Sequence, residues 1–280
     1  MTLSLCTFGT AKSFAEYKIC DVLRCLNYSF ADVGWDVQLL HNRFDSDTKN
    51  VLCVAEPPSN RFVEMLTPYL PQLYWLRIWP SVSRKQLNNF YNPQRLHLLR
   101  QCAGVGSLLA IEVSFLKQHG IECTWLPLGS HPALRTPHPK NRRQKPEYDI
   151  FIQGEGQNWQ YLFLQRLETW GISYKHCFGL PFVHRDDALR KARRVLILPQ
   201  EFNTQSVTPP HLVAMSLYHQ MIPLSLCEIT ESPFGRWCQQ TNLRKLTQDI
   251  KYTPPFKKSF IEFRNHAQKR LLSHWQRWLK

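Results

Sequence analysis

Gln153-Gly-Glu-Gly-Gln157 follows the apolar run Tyr148–Gln153 and is the stretch of this chain best suited to hold a phosphate. Glycines at a strand-to-helix turn let backbone N–H groups approach an anion, and the next helix adds the positive end of its dipole. A plain tight turn would carry the same residues. Leu128-Gly-Ser-His131 leaves an earlier apolar run in a similar way, which makes Gly129 and Ser130 candidates to face a ligand; an ordinary strand exit is the alternative. Asp45-Ser-Asp47 is a pair of carboxylates in a polar stretch with Asn42, Lys49 and Asn50 and reads as a solvated loop. Gly104-Val-Gly106 lacks the third glycine of a dinucleotide fingerprint. There is no nucleophile-elbow serine, no His-Glu-x-x-His and no Walker loop.

These turns need strands and helices to position them, and the chain alternates the two. Leu3–Phe8 reads as a strand and Ala15–Tyr28 as a helix, with Tyr17, Val22, Leu23 and Leu26 at helical spacing. Trp35–Leu40, Asn50–Ala55 and Leu73–Trp79 read as strands; Arg61–Leu70 and Pro93–Cys102 read as helices. Ser107–His119 is amphipathic and stops at Gly120, before the strand Ile121–Leu126. After Tyr148–Gln153, a helix spans Trp159–Trp170 up to Gly171, then Ile172–Phe178 is a strand. Arg185–Asp187 reads as a charged turn, Asp187–Arg193 as a short helix and Arg194–Leu198 as a strand. Pro210–Met221 is a helix with proline in its first turn, and Pro223–Ile229 is the last strand. Such alternation predicts mostly parallel, doubly wound sheets.

The expected organisation is an N-terminal Rossmann-like, acceptor-side domain over 1–131 and a basic, proline-rich linker over 132–147. A nucleotide-binding Rossmann-like domain over 148–256 and a basic helix over 257–280 follow. In that tail Trp275 and Trp278 share one helix face among cations, which suits a membrane interface or packing back on the first domain equally.

Hydrophobic content of 43% excludes wholesale disorder, and no apolar run approaches the ~20 residues that span a bilayer. The nine cysteines form no Cys-x-x-Cys pair and read as buried thiols of a reducing compartment. A net charge of +14 favours polyanionic partners: phospholipid head groups, nucleic acid or phosphate-bearing substrates.

Phe151-Ile-Gln-Gly154, the helix ending Trp170-Gly171, Phe178-Gly179 before Arg185-Asp186, Ala192-Arg-Arg-Val-Leu196 and Glu228 come in an order that resembles bacterial sugar transferases of the two-Rossmann GT-B architecture. The likeness is to a CgeB-like, family-1-type group, and Leu126-Pro-Leu-Gly129 is similar to the segment that closes the first domain there. The chain departs from the pattern at His211 and Ala214, where the family has an acidic residue followed three positions later by arginine. It departs again at Ile197 and Pro199, where polar residues are expected. A donor site must grip ribose hydroxyls and offset diphosphate charge, and a methyl group at Ala214 does neither.

The resemblance implies an α/β fold of two Rossmann-like domains facing a cleft. It implies a glycosyltransferase that moves a sugar from a nucleotide diphosphate-sugar to a glycan or other acceptor, in surface polysaccharide synthesis. The nucleotide-sugar would be a co-substrate, with no cofactor and no tightly bound metal. Donor contacts would come from Gly154 and Glu155 in the turn, Arg185 on phosphate, His211 at a helix start and Glu228 on hydroxyls, with Gly129 and Ser130 facing the cleft. Expected partners are the donor, a glycan or lipid-linked acceptor and, peripherally, anionic membrane, with a cytoplasmic location. Two other readings are a catalytically degenerate binding or scaffold protein, favoured by His211 and Ala214, and a nucleic-acid-acting protein such as a DNA-base glycosyltransferase.

Overall fold

A computed structural model describes residues 2–8, 15–55, 57–78, 84–126, 131, 145–153, 158–177, 182–198, 213, 216–217, 221–226, 237–252 and 273–280. The chain divides into two compact units, one of Met1–His131 with Ala267–Lys280 and one of Pro132–His266.

The first unit is built on six parallel strands: β1 (Thr2–Thr7), β2 (Asp36–His41), β3 (Lys49–Val54), β4 (Leu73–Arg77), β5 (Gly104–Ser107) and β6 (Thr124–Trp125). Their spatial order is β2-β1-β3-β4-β5-β6. Leu3–Cys6 and Asn50–Val54 are buried along their length, as strands covered on both faces must be. Helices α1 (Ala15–Ala31), α2 (Asn60–Leu66), α3 (Arg84–Phe90), α4 (Pro93–Leu99) and α5 (Ala110–Gln118) lie in the connections. Leu52, Trp75, Leu87, Phe90, Leu99, Phe115 and Leu116 join in one core cluster.

The second unit carries β7 (Tyr148–Gln153), α6 (Asn158–Thr169), β8 (Tyr174–Cys177), α7 (Phe182–Arg190), β9 (Ala192–Ile197), β10 (Leu224–Ser225), β11 (Gln239–Gln240) and α8 (Leu246–Lys251). Its five strands are parallel in the order β11-β10-β9-β7-β8. Ile150, Ile152, Leu167, Leu196, Leu224 and Leu246 form its core cluster. In both sheets the first strand is flanked by the second and third, and later strands march outward from the third.

Gly120 and Gly171 end their helices as expected, at φ +70° and +65°. Each lets the next N–H bond back to the last turn, Ile121 to Leu116 O at 3.0 Å and Ile172 to Leu167 O at 2.9 Å.

Several elements differ from expectation for identifiable reasons. The helix expected over 61–70 stops at Leu66 and tightens into a 3-10 turn, Thr67–Gln72, because Pro68, and after it Pro71, has no N–H to continue an α-helix. Gly104-Val-Gly106 belongs to a strand that ends at Ser107, so α5 starts at Ala110 rather than Ser107. A Cβ at Gly106 would stand 2.4 Å from Leu126 Cδ1 and 3.1 Å from Trp278 Cζ2, so the glycine admits a close neighbour. Arg185–Asp187 lies inside α7 rather than in a turn, and β9 begins at Ala192 because that residue pairs with Tyr148. Sequence periodicity also missed α3, β11 and α8, all short.

Trp275 and Leu279 are buried, with Trp275 edge-on to Phe30 at 5.4 Å and Trp278 edge-on to Tyr74 at 5.3 Å. Lys49 Nζ donates to the Leu279 carbonyl. The end of the tail therefore packs on the first unit, and Trp275, with no exposed surface, cannot serve a membrane interface. No helix among the described residues is long and apolar enough to cross a membrane. The linker over 132–144, most of the helix expected over 210–221 and the tail over 257–272 lie outside the described residues.

Candidate functional site

In an open parallel sheet the ligand crevice forms outside the carboxyl ends of strands that neighbour each other but leave toward opposite sides. That switch point lies between β1 and β3 in the first sheet and between β7 and β9 in the second. In the second sheet Gln153, the last residue of β7, is level with Ile197 of β9 and Cys177 of β8. Leu226 N–H bonds to Ile197 O at 3.1 Å, so the chain leaving β10 passes the same edge. Gly154 and Glu155 come next in the chain after Gln153, and Glu228 comes two residues after Leu226. These three, with His211, Gly129 and Ser130, lie outside the described residues.

Arg185 is described. It sits in α7 with its side chain buried, its Nη2 3.1 Å and its Nε 3.3 Å from Asp186 Oδ1. Asp186 has no exposed surface. A buried carboxylate needs a cationic or hydrogen-bonding partner, and this one takes its neighbour's guanidinium. A role of Arg185 toward phosphate would have to share the group with Asp186.

The carboxyl edge of the first sheet holds a buried polar network that sequence reasoning missed. Arg77 ends β4, Ser107 ends β5, Glu112 opens α5 and Tyr91 follows α3. Arg77 Nε is 3.3 Å from Glu112 Oε1, and both side chains are at most 2% exposed. Tyr91 Oη donates to Glu112 Oε1 at 2.8 Å, and Ser107 Oγ donates to Glu112 Oε2. Arg77 Nη1 reaches the carbonyls of Val54 and Ala55, and its guanidinium lies 3.6 Å from the centre of the Phe90 ring. Burial pushes the Glu112 carboxyl above its ordinary value, while Arg77, Ser107 and Tyr91 pull it back; burial also pushes the Tyr91 phenol up. The network ties the ends of β3, β4 and β5 to α3 and α5, and its burial gives it a positioning task. The signal for it was present: a single arginine inside Leu73-Tyr-Trp-Leu-Arg-Ile78 and a single glutamate inside Ala110-Ile-Glu-Val113.

Near the end of the first unit His131 Nε2 lies 2.9 Å from Asp32 Oδ2, and its ring stacks on Tyr28 with centroids 5.5 Å apart. Asp45-Ser-Asp47 closes on itself: Asp47 N–H bonds to Asp45 Oδ1 at 2.9 Å, and Asn50 holds both backbone groups of Asp45. Among the described residues no group of three or more His, Cys, Asp or Glu is placed to hold a metal ion.

No protein-family model matches this chain, and no curated protein matches it in sequence. Solved structures match it in fold. An α-glucosyltransferase in complex with UDP and a 13-mer DNA containing a central A:G mismatch is similar over 100% of this chain and 93% of its own, at TM-score 0.55 and 9% identity. A putative UDP-N-acetylglucosamine 2-epimerase from Listeria monocytogenes is similar over 99% of this chain and 96% of its own, at TM-score 0.52 and 10% identity. The T4 phage β-glucosyltransferase in complex with UDP and Mn2+ is similar over 100% and 97%, at TM-score 0.51 and 12% identity. These likenesses define the class by fold: two parallel-sheet α/β units in series, as in GT-B glycosyltransferases.

Proposed function

We propose that this chain is a glycosyltransferase that binds a nucleotide diphosphate-sugar on its second unit and transfers the sugar to an acceptor bound by the first. The observation that carries the reading is the repeated strand order: each sheet has its own switch point, and Gly154-Glu-Gly156 follows the first strand of the second sheet in the sequence. In the proposal, backbone N–H groups of Gly154 and Glu155 take the diphosphate, and Glu228 accepts from ribose or sugar hydroxyls. In the same proposal His211, which precedes β10 in the sequence, contacts the donor. Arg185 acts with Asp186, as a held charge on α7. Gly129 and Ser130 serve the acceptor side. The proposed acceptor is a glycan, and a CgeB-like place in surface polysaccharide synthesis belongs to the same proposal.

Titration calorimetry with UDP, GDP and their glucose and mannose conjugates tests it. Binding of one nucleotide series is expected, weakened by Glu228→Gln. Absence of heat from every nucleotide, at protein concentrations suited to millimolar affinity, would defeat the donor site.

A nucleic-acid acceptor is the second reading, favoured by the net charge of +14. It requires duplex binding whose affinity falls steeply with salt; salt-insensitive or undetectable binding removes it.

A further inference from the structure

The connection from β2 to β3, residues 42–48, has no helix, although every other connection in the first sheet has one. Beside it lies a pocket of about 450 Å³, bounded by this connection, α2 and the 3-10 turn. That size falls within the roughly 300–1,000 Å³ usual for small-ligand sites. We propose that it is a saccharide-binding site, separate from the nucleotide site proposed for the second unit.

The wall is built in advance. Asn42 adopts φ +55°, turning the chain, with its N–H on Thr7 O at 2.8 Å. Asn50, nearly buried, accepts from Asp45 N–H at 3.0 Å and donates to the carbonyls of Asp45 at 2.7 Å and Thr48 at 3.1 Å. Ser4 and Thr48 hydroxyls bond at 2.6 Å. A connection pinned at both ends loses little entropy on binding.

Of the thirteen lining residues four are aromatic, three aliphatic and six polar, a mixture that can meet both the C–H faces and the hydroxyl edges of a sugar. Phe8 meets Phe44 at 4.8 Å and Phe62 at 4.7 Å, and Phe44 meets Tyr69 at 5.2 Å. Tyr69 is 50% exposed, so part of its surface is open to a ligand. Among the described residues Arg43, Gln72 and the Tyr69 hydroxyl have no hydrogen-bond or ion-pair partner, so donors and acceptors stand ready beside the rings. The rings are tilted at 41–46° to one another and offer no parallel slot, which is the arrangement a flat nucleobase would require. A puckered pyranose, with C–H groups toward Tyr69 and hydroxyls toward Arg43 and Gln72, fits this geometry.

Saturation-transfer NMR on the nucleotide-free protein tests the proposal with glucose, galactose, N-acetylglucosamine, maltose, cellobiose and lactose, and with adenosine and thymidine as the aromatic alternative. Transfer to ring C–H protons of at least one saccharide is expected. It should vanish in Tyr69→Ala, persist in Tyr69→Phe and weaken in a double Arg43→Ala, Gln72→Ala variant. Both Tyr69 and Arg43 are exposed enough that the variants should fold, and circular dichroism checks that. No transfer from any saccharide, an unchanged signal in Tyr69→Ala, or transfer from the nucleosides alone would overturn the proposal. UDP calorimetry on Tyr69→Ala keeps the two sites apart: nucleotide binding is expected to be unaltered there, whether or not sugar binding is lost.

Discussion

Arg77 and Arg194 are buried arginines of strands, one in each sheet, at 2% and 1% exposure. Arg77 stands at the carboxyl edge, and α5, in the crossover from β5 to β6, brings the Glu112 carboxylate to 3.3 Å from it. Arg194 stands nearer the amino end of β9 and reaches uncharged acceptors: Asp249 O at 3.2 Å, Gln239 Oε1 at 2.9 Å and the Tyr252 carbonyl. The first is an ion pair within a hydrogen-bonded network; the second is a strut from β9 that ties α8 to β11. Burying a charge requires compensation in either case, but the source decides what is lost when one partner goes. Removing Glu112 takes a buried carboxylate away from Arg77, whereas removing Arg194 takes a donor away from two carbonyls and an amide.

The largest effect expected from that difference is at Glu112. Glu112→Ala leaves the Arg77 charge buried, and should cost about 3–5 kcal/mol in urea unfolding. An Arg77→Met, Glu112→Leu double variant should recover most of the loss, because it removes the charge together with its partner. If the double variant is as unstable as the single, packing around the network matters more than its charge.

Arg194→Met should cost less, about 1–3 kcal/mol for acceptors left without donors. The loss should appear as faster hydrogen exchange in α8 and β11 before other parts of the second unit. A larger cost than that of Glu112→Ala would reverse the comparison.

The smallest effect is in pH dependence. Burial raises the Glu112 carboxyl from its ordinary value of 4.5. An acid raised by folding contributes stability that is complete below its unfolded value and is lost as pH climbs through the folded value. Relative to Glu112→Gln, which does not titrate, the wild-type protein should therefore lose stability as pH rises from 4.5 upward. A relative gain over that range would mean that Arg77 outweighs burial and holds the carboxyl below its ordinary value.

The long strands and their helices were legible in the chain because buried parallel strands are apolar runs and their connecting helices carry a 3.6-residue period. Gly120 and Gly171 were legible as helix stops for the same kind of reason, since a left-handed residue favours glycine. Short elements were not: β5 is four residues, two of them glycine, and only Tyr74, Leu126 and Trp278 around it explain its composition. Of the candidate site, the glycine turn after β7 could be placed at a strand end from sequence. The Arg77–Glu112 network could not, because its members are up to 35 positions apart and come from two strands, a helix and a loop. Nor could the pocket beside Tyr69, which is bounded by a crossover without a helix, α2 and the 3-10 turn.

By itself, the amino-acid order determined the alternation of strands and helices, the basic charge and where the chain turns, all of which follow from local sterics and side-chain polarity. Tertiary structure alone decided which strand became the centre of each sheet, that Trp275 faces the first unit rather than lipid, and that Arg185 is held by Asp186. Those outcomes depend on which distant surfaces and charges exclude water together, and a single side chain does not carry that information.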